Sequence, residues 1–458
     1  MHRLSILLSA AVLSLVAFAQ PYKMANVVCF VKFSDQADSP WEHDRDYYET
    51  MFNSVEEGAN SVRNYFSYMS YGRMDWESVI IADEYIDSHP RGYFCEKSAT
   101  NPDGYTDIDL MLDTRTKTLV RDMCAYLSDR IPDDVVLDAD GDGVVDNIVV
   151  IFNGDSEWSA SNMLWPANNT APAARLKGLN VRNYLKVFDG ANGYKSYVAQ
   201  KLNTGVLCHE MMHTLDAYDL YTSKGAPQLE PVNIWDLMSD NQNMPQGLTA
   251  YMRMAYGEDF GGWLPKSDVP TLTEAGEYRL APVSSIGEGS VAYKIVPDKK
   301  KAEYFMVEYR DRGDMWDSSL PASGILVYRV NPLMKGNLGN DYELYVFRPN
   351  GSLSSAGLIK RATLGPDTRR TSFGLADDND YPFYSDGGRA YFSITDVREE
   401  DGQMVFSFYP NITGDSAVEG IVADKDGKET IFNLQGVRLD RIPGPGIYIV
   451  NGRKTIIR

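Results

Sequence analysis

The apolar positions mark out the elements first. Asn26 to Phe33 (NVVCFVKF) is a nearly unbroken apolar run, the pattern of a strand covered on both faces. Behind it, Val55, Ala59, Val62, Phe66 and Met69 recur at helical spacing. A capping box at Ser54 and Glu57 predicts where that helix starts, and Gly72 offers a stop. A second helical pattern runs from about Asp109 to Leu127, with Leu112, Leu119, Met123 and Leu127 on one side, and ends before Pro132. Ile148 to Phe152 is another buried strand. A third helix begins near Asn203 or Thr204, either of which can cap it.

Helices, strands and long loops alternate to about Leu264, where Pro265 to Pro270 (PKSDVP) has the composition of a linker. Short β-rich runs follow: GEYRLAPV at Gly276, YFMVEYR at Tyr304, GILVYRV at Gly324, ELYVFRP at Glu343, RAYFSI at Arg389 and MVFSFYP at Met404. Gly, Pro, Asn and Asp separate them, which predicts an antiparallel sandwich. After Pro410 a polar stretch leads to IFNLQGVRL, GIYIVNG and KTIIR, expected as three short strands of a small terminal module.

Bulk properties narrow the setting. A chain of 458 residues exceeds one compact core, so two or three domains are expected. The formal net charge of −20 argues against a nucleic-acid partner, since a polyanion would be repelled. At the N-terminus, His2 and Arg3 precede the apolar run Leu4 to Val16, and Ala17-Phe18-Ala19 supplies a small-x-small cleavage pattern. Residues 1–19 are therefore expected to be a signal peptide, with a buried N-terminal helix as the competing reading. The run is too short to span a bilayer, no later segment is long and apolar enough, and a secreted or cell-surface protein is expected. Cys29, Cys95, Cys124 and Cys208 allow either disulfides or buried thiols.

The sharpest chemical signal is His209-Glu210-Met211-Met212-His213. On a helix, histidines at i and i+4 share one face and can reach one ion, while the intervening glutamate can hold a water against it. Zinc brings such a water's pKa toward neutrality, so a carboxylate can take its proton as it attacks a carbonyl. Chance is a poor explanation: the chain has five histidines, His2 leaves with the signal, and two of the remaining four bracket this glutamate. A third ligand is required. Asp219, six residues beyond His213, can be brought back by a left-handed bend at Asp216, where related zinc helices carry glycine. Glu230 and Glu258 are the alternatives. Met238, in Trp235 to Ser239 (WDLMS), follows at a suitable distance to lie beneath the site.

A second cation signature precedes the Ile148 strand. Asp138, Asp140, Asp142 and Asp146 stand at positions 1, 3, 5 and 9 of a loop, Gly143 at its sharp turn, and the carbonyl of Val144 can add a ligand. The twelfth position is Val149 instead of the usual bidentate glutamate, so this is not a standard EF-hand. Calcium is expected, in a structural role.

Taken together these segments resemble the immune inhibitor A-type bacterial metallopeptidases of the zincin clan. The likeness lies in VVCFVKFSD (Val27 to Asp35), VRNYFSYMSYGRMDW (Val62 to Trp76), DADGDGVVDNIVVIFNG (Asp138 to Gly154), HEMMHTLDAYDLY (His209 to Tyr221), WDLMS, YFMVEYRDRG and SGILVYRV. The resemblance implies zinc on His209, His213 and Asp219 with Glu210 as general base; Asp216 departs from the family's glycine. The family's N-terminal propeptide is expected to be missing, because the first core strand begins a few residues after the cleavage pattern. Residues Ile421 to Arg458 are similar to short C-terminal modules of exported Bacteroidetes-type proteins, implying outer-surface sorting or anchoring machinery as a partner, with a plain β-module as the alternative.

The expected architecture is α+β: a zincin-like catalytic domain over 20–265, an antiparallel β-sandwich over 266–410 and a small β module over 417–458. The expected function is zinc-dependent endopeptidase action on proteins or peptides outside the cell. The competing class is an inactive, calcium-stabilised adhesion or glycan-binding protein, against which the intact Glu210 argues. Substrate preference is not legible, since loops such as Trp158 to Arg175 carry no decodable pattern.

Overall fold

The computed structural model describes residues 20–410 apart from 157–162, 172, 193–199, 223–228, 340 and 376–379, together with four short strands within 431–457. The expected signal peptide lies outside the described residues. Among those described, no helix is long and apolar enough to cross a membrane.

A five-stranded sheet organises the first half. Its order is Met74–Asp87, Tyr22–Phe33, Ile148–Phe152, Asn183–Phe188 and Ala167–Thr170; the first four run parallel and the last is an antiparallel edge. The apolar run near the N-terminus is unbroken because each face of its strand has its own core. Val28 and Phe30 pack with Phe52, Phe66 and Met211 of three helices, whereas Val27, Cys29 and Val31 pack with Leu119, Met123 and Leu127 of a helix on the other side. Burial of such side chains on both faces contributes roughly 1.5–3 kcal/mol each. All four cysteines are buried free thiols, which settles the question of pairing.

Two helical expectations are corrected. Ser54 does not open a helix; it ends one, Arg45–Asn53, which is capped by Asp44. The next helix is Val62–Met69, with the Ser61 side chain accepting from the Asn64 amide at 3.2 Å. Between them the chain turns at Gly58 with φ +76°, and Val55 is 67% exposed, so it never joins the apolar stripe. The second pattern divides at Asp113, whose φ is +51°, into Asp107–Leu112 and Thr114–Ser128. A capping box between Thr106 and Asp109 fixes the short helix, leaving Leu112 exposed while Leu119, Met123 and Leu127 are buried.

The β-rich half forms two facing sheets. One orders Thr271–Leu272, Ala292–Ile295, Tyr304–Arg310, Gly324–Val330 and Leu344–Val346, antiparallel except for its first pair. The other is antiparallel in the order Gly276–Leu280, Gln403–Pro410, Phe392–Glu400. Phe305, Val307 and Val327 of the first meet Ile394, Phe406 and Phe408 of the second. Alternation along the same strands sends Met306, Leu326 and Tyr328 the opposite way, into the core that holds Met69, Met211 and Leu248.

That shared core is tied by polar groups as well. Buried Arg310 donates to Asp317 at 2.7 and 2.6 Å and to the carbonyls of Trp235 (2.6 Å) and Gly247 (2.9 Å). Glu308 accepts from the Ala250 amide at 2.7 Å, at the start of the helix Ala250–Tyr256. The expected linker holds an exposed helical turn, Lys266–Asp268, between buried Leu264 and buried Val269. Among the described residues, the terminal module has four strands instead of three, because Ile431–Phe432 and Arg438–Leu439, both within IFNLQGVRL, pair with each other. The architecture is α+β.

Candidate metal centre

The helix Thr204–Thr214 begins where the sequence predicts, with the Asn203 side chain accepting from the Val206 amide at 3.1 Å. It ends in a Schellman turn: the Ala217 amide bonds to Met212 O at 3.2 Å and the Asp216 amide to His213 O at 3.1 Å. Asp216 takes φ +63°, the left-handed conformation expected of it. The bend carries the chain back so that Asp219 Oδ1 lies 3.1 Å from His209 Nε2 and 3.3 Å from His213 Nε2.

The other imidazole nitrogens are fixed by carbonyls. His209 Nδ1 meets Leu237 O at 3.0 Å, and His213 Nδ1 meets Ala217 O at 2.8 Å. Each Nδ1–H thus donates to a carbonyl and each Nε2 faces the shared oxygen, which is the arrangement that orients histidine ligands. Burial alone would push His209 down, yet the Asp219 hydrogen bond and the Glu210 and Asp219 charges raise it to about 9. Burial likewise works to raise Asp219, but the two imidazoles hold it well below the usual carboxylate range. Two imidazole nitrogens and one carboxylate oxygen are a zinc donor set, and their separations approach the ~3.4 Å edge of a tetrahedron with bonds of about 2.1 Å. The residues present fit the ion.

Glu230 and Glu258 are not brought here. Glu258 pairs with Lys266 at 2.6 Å on the surface, and Glu230, raised by burial, has Asp240 and Arg348 as charged neighbours. Met238 is fully buried and accepts from the Leu220 amide at 2.8 Å, so its turn supports the Asp219 segment while neighbouring Leu237 supplies the His209 carbonyl.

The cluster opens into a cleft of about 680 Å³ whose walls include Glu210, Tyr221, Arg182 and the edge strand Ala167–Thr170. Sequence reasoning missed how that strand is attached. Asn168 Nδ2 donates to Glu210 O (3.2 Å) and to Thr214 Oγ1 (2.9 Å). The chain of bonds continues from Thr214 to Asn147 (2.8 Å), Asn26 (2.8 Å) and Ser78 (2.9 Å). Tyr221 was also missed as a site residue; burial, then Asp219, pushes its phenol up, so it stays protonated at neutral pH. Its only signal was a place inside HEMMHTLDAYDLY.

In the aspartate loop, the carboxylates of Asp138, Asp140 and Asp146 gather within 4.8 Å. Asp138 accepts from the amides of Gly141 (2.6 Å), Asp142 (3.0 Å) and Gly143 (2.8 Å), and Asp146 from Ala25 (2.6 Å) and Ala139 (3.1 Å). Asp142 stays outside that trio, its Oδ1 accepting from the Val144 amide at 2.8 Å, and Gly143 takes φ +85° at the turn. Burial, and next the charges of Asp140 and Asp138, push Asp146 up to about 6. Among the described residues, none of the three carboxylates has a lysine or arginine partner. Crowded oxygen donors held by backbone amides fit a hard cation such as calcium.

No family model matches the chain, and no curated protein matches it. Among solved structures, a catalytically inactive OgpA from Akkermansia muciniphila, in complex with an O-glycopeptide (glycodrosocin) substrate, aligns over 71% of this chain and 88% of its own at 11% identity, with a TM-score of 0.23.

Proposed function

We propose that the protein is a zinc-dependent endopeptidase of the immune inhibitor A type, acting outside the cell and stabilised by calcium at the aspartate loop. The observation that carries this reading is the convergence of His209 Nε2, His213 Nε2 and Asp219 Oδ1 beside Glu210 in an open cleft. His209, His213 and Asp219 would hold zinc, which supplies Lewis acidity at the scissile carbonyl and lowers the pKa of water. Glu210 takes the proton of the attacking water and passes it to the leaving amine. Tyr221, a protonated phenol in the same cleft, is available to donate to the carbonyl oxygen as that oxygen gains charge. The free side of the edge strand Ala167–Thr170 offers backbone groups to an extended peptide.

The test is casein cleavage by zinc-loaded Glu210→Gln. A loss of about 10²- to 10⁴-fold with zinc content unchanged is expected. Equal cleavage by the variant would remove Glu210 from its role. A zinc-loaded wild-type chain that cuts no protein would favour the adhesion or glycan-binding alternative.

A further inference from the structure

The segment that delivers Asp219 to the histidines is held from two sides. From the first half, Met238 O accepts the Leu220 amide at 2.8 Å. From the β-sandwich, the loop between Gly324–Val330 and Leu344–Val346 reaches over and takes the outward carbonyls. The Asn337 amide donates to Asp219 O at 2.7 Å, and Asn337 Nδ2 donates to Leu220 O at 2.8 Å and Leu344 O at 2.9 Å. Asn337 Oδ1 accepts from the Leu344 amide at 3.2 Å, so both donors and the acceptor oxygen of this fully buried side chain are engaged. No other residue type of that size supplies two donors and an acceptor in one plane.

The approach is close as well as polar. Gly336 takes φ +69°, and a Cβ there would lie 2.6 Å from Asp219 O and 2.8 Å from Tyr218 Cβ. Its amide donates to Glu343 Oε2 at 2.5 Å, and Glu343 Oε1 accepts from Tyr251 and Tyr256 at 2.7 and 2.6 Å, which braces the loop against the helix Ala250–Tyr256. Leu338, the next residue, lines the cleft.

We infer that the Gly336–Asn337 loop is a positioning element of the metal centre, so that the β-sandwich sets the reach of the third ligand. The inference rests on the zinc reading above. A side chain that supports a ligand from behind typically changes metal affinity by about 10- to 100-fold when altered.

The experiment measures zinc affinity of the full-length chain by competition with a chromophoric chelator, alongside the melting temperature. Asn337→Asp keeps shape and volume but removes both side-chain donors, and a loss of about 10-fold or more in zinc affinity is expected. Gly336→Ala keeps every hydrogen-bonding group and forces the loop off the Asp219 carbonyl, with a loss in the same direction. Phe392→Leu, in the separate sandwich core, is the control: it lowers the melting temperature and leaves zinc affinity unchanged. Hydrogen exchange on the wild-type chain needs no variant, and zinc should slow the amides of residues 331–346, because the coupling is reciprocal. Unchanged affinity in a folded variant, or exchange in that segment indifferent to zinc, overturns the inference. A wild-type chain that binds no zinc overturns the underlying reading instead.

Discussion

The two acid clusters solve the problem of crowded charge in opposite ways. Around Asp219, two imidazoles supply the counter-charge, the carboxylate is held well below its usual range, and the donors sit on a helix and its bend. Around Asp146 stand other carboxylates, backbone amides and the Tyr22 phenol, which donates to Asp140 at 2.9 Å, and burial pushes the Asp146 carboxyl up to about 6. The first cluster carries its own counter-charge before any ion arrives and holds its donors on a rigid element, which suits the proposed chemistry. The second is left with excess negative charge in a loop, so the proposed calcium would relieve repulsion and stiffen the chain.

The largest expected effect breaks the first cluster. His213→Ala removes one of three donors and should abolish zinc retention on dialysis together with casein cleavage, while the calcium response of the melting temperature persists. A variant that keeps stoichiometric zinc would break the comparison. Next, Asp146→Asn should abolish the calcium response and leave zinc content intact. In the wild-type chain, calcium at 100 times its Kd should stabilise by about 2.7 kcal/mol, read as a melting-temperature rise of several degrees over chelated protein. No difference between chelated and calcium-loaded protein would remove the structural role.

The smallest effect sharpens the electrostatics around Glu210, whose charge acts on buried Lys186. Lys186, buried on the strand beside the edge strand, donates to Met163 O, and burial lowers its pKa to about 8. Its folded value lies below the unfolded 10.5, so the unfolded chain binds more protons between pH 8 and 10.5. This contribution to stability is present above pH 10.5 and is lost as pH falls to about 8. Stability differences between wild type and Lys186→Met should slope across that window in chelated protein. A flat difference would mean that the amine is solvated.

The parts of the site legible in the sequence are those carried by side chains close together along the chain. The i, i+4 histidines, the bend at Asp216 and the aspartates of the loop announce themselves through residue type and spacing. What stayed hidden is made of backbone groups and distant partners. The carbonyls of Leu237 and Ala217 that orient the histidines have no residue signature, and Asn168 sits in a polar edge strand without apolar alternation. Asn337 lies more than a hundred residues from the ligand segment it holds. In the fold, strands buried on both faces were plain from their apolar runs. The helix start at Ser54 misled because its residues satisfy the capping pattern, while Gly58 and exposed Val55 place the cap at Ser61.

The short crossing at Lys266–Asp268 and the buried Arg310 lock have a consequence for the proposed peptidase, which would work among its own copies. A peptidase needs an extended, accessible stretch of about a dozen residues to cut, and a hinge between independently folded halves would provide one. Here the crossing is a short, exposed helical turn held between buried Leu264 and Val269 of a core that both halves share, so cleavage at this crossing would need that packing to open. The resistance of this crossing to cutting is thereby linked to the stability of the shared core.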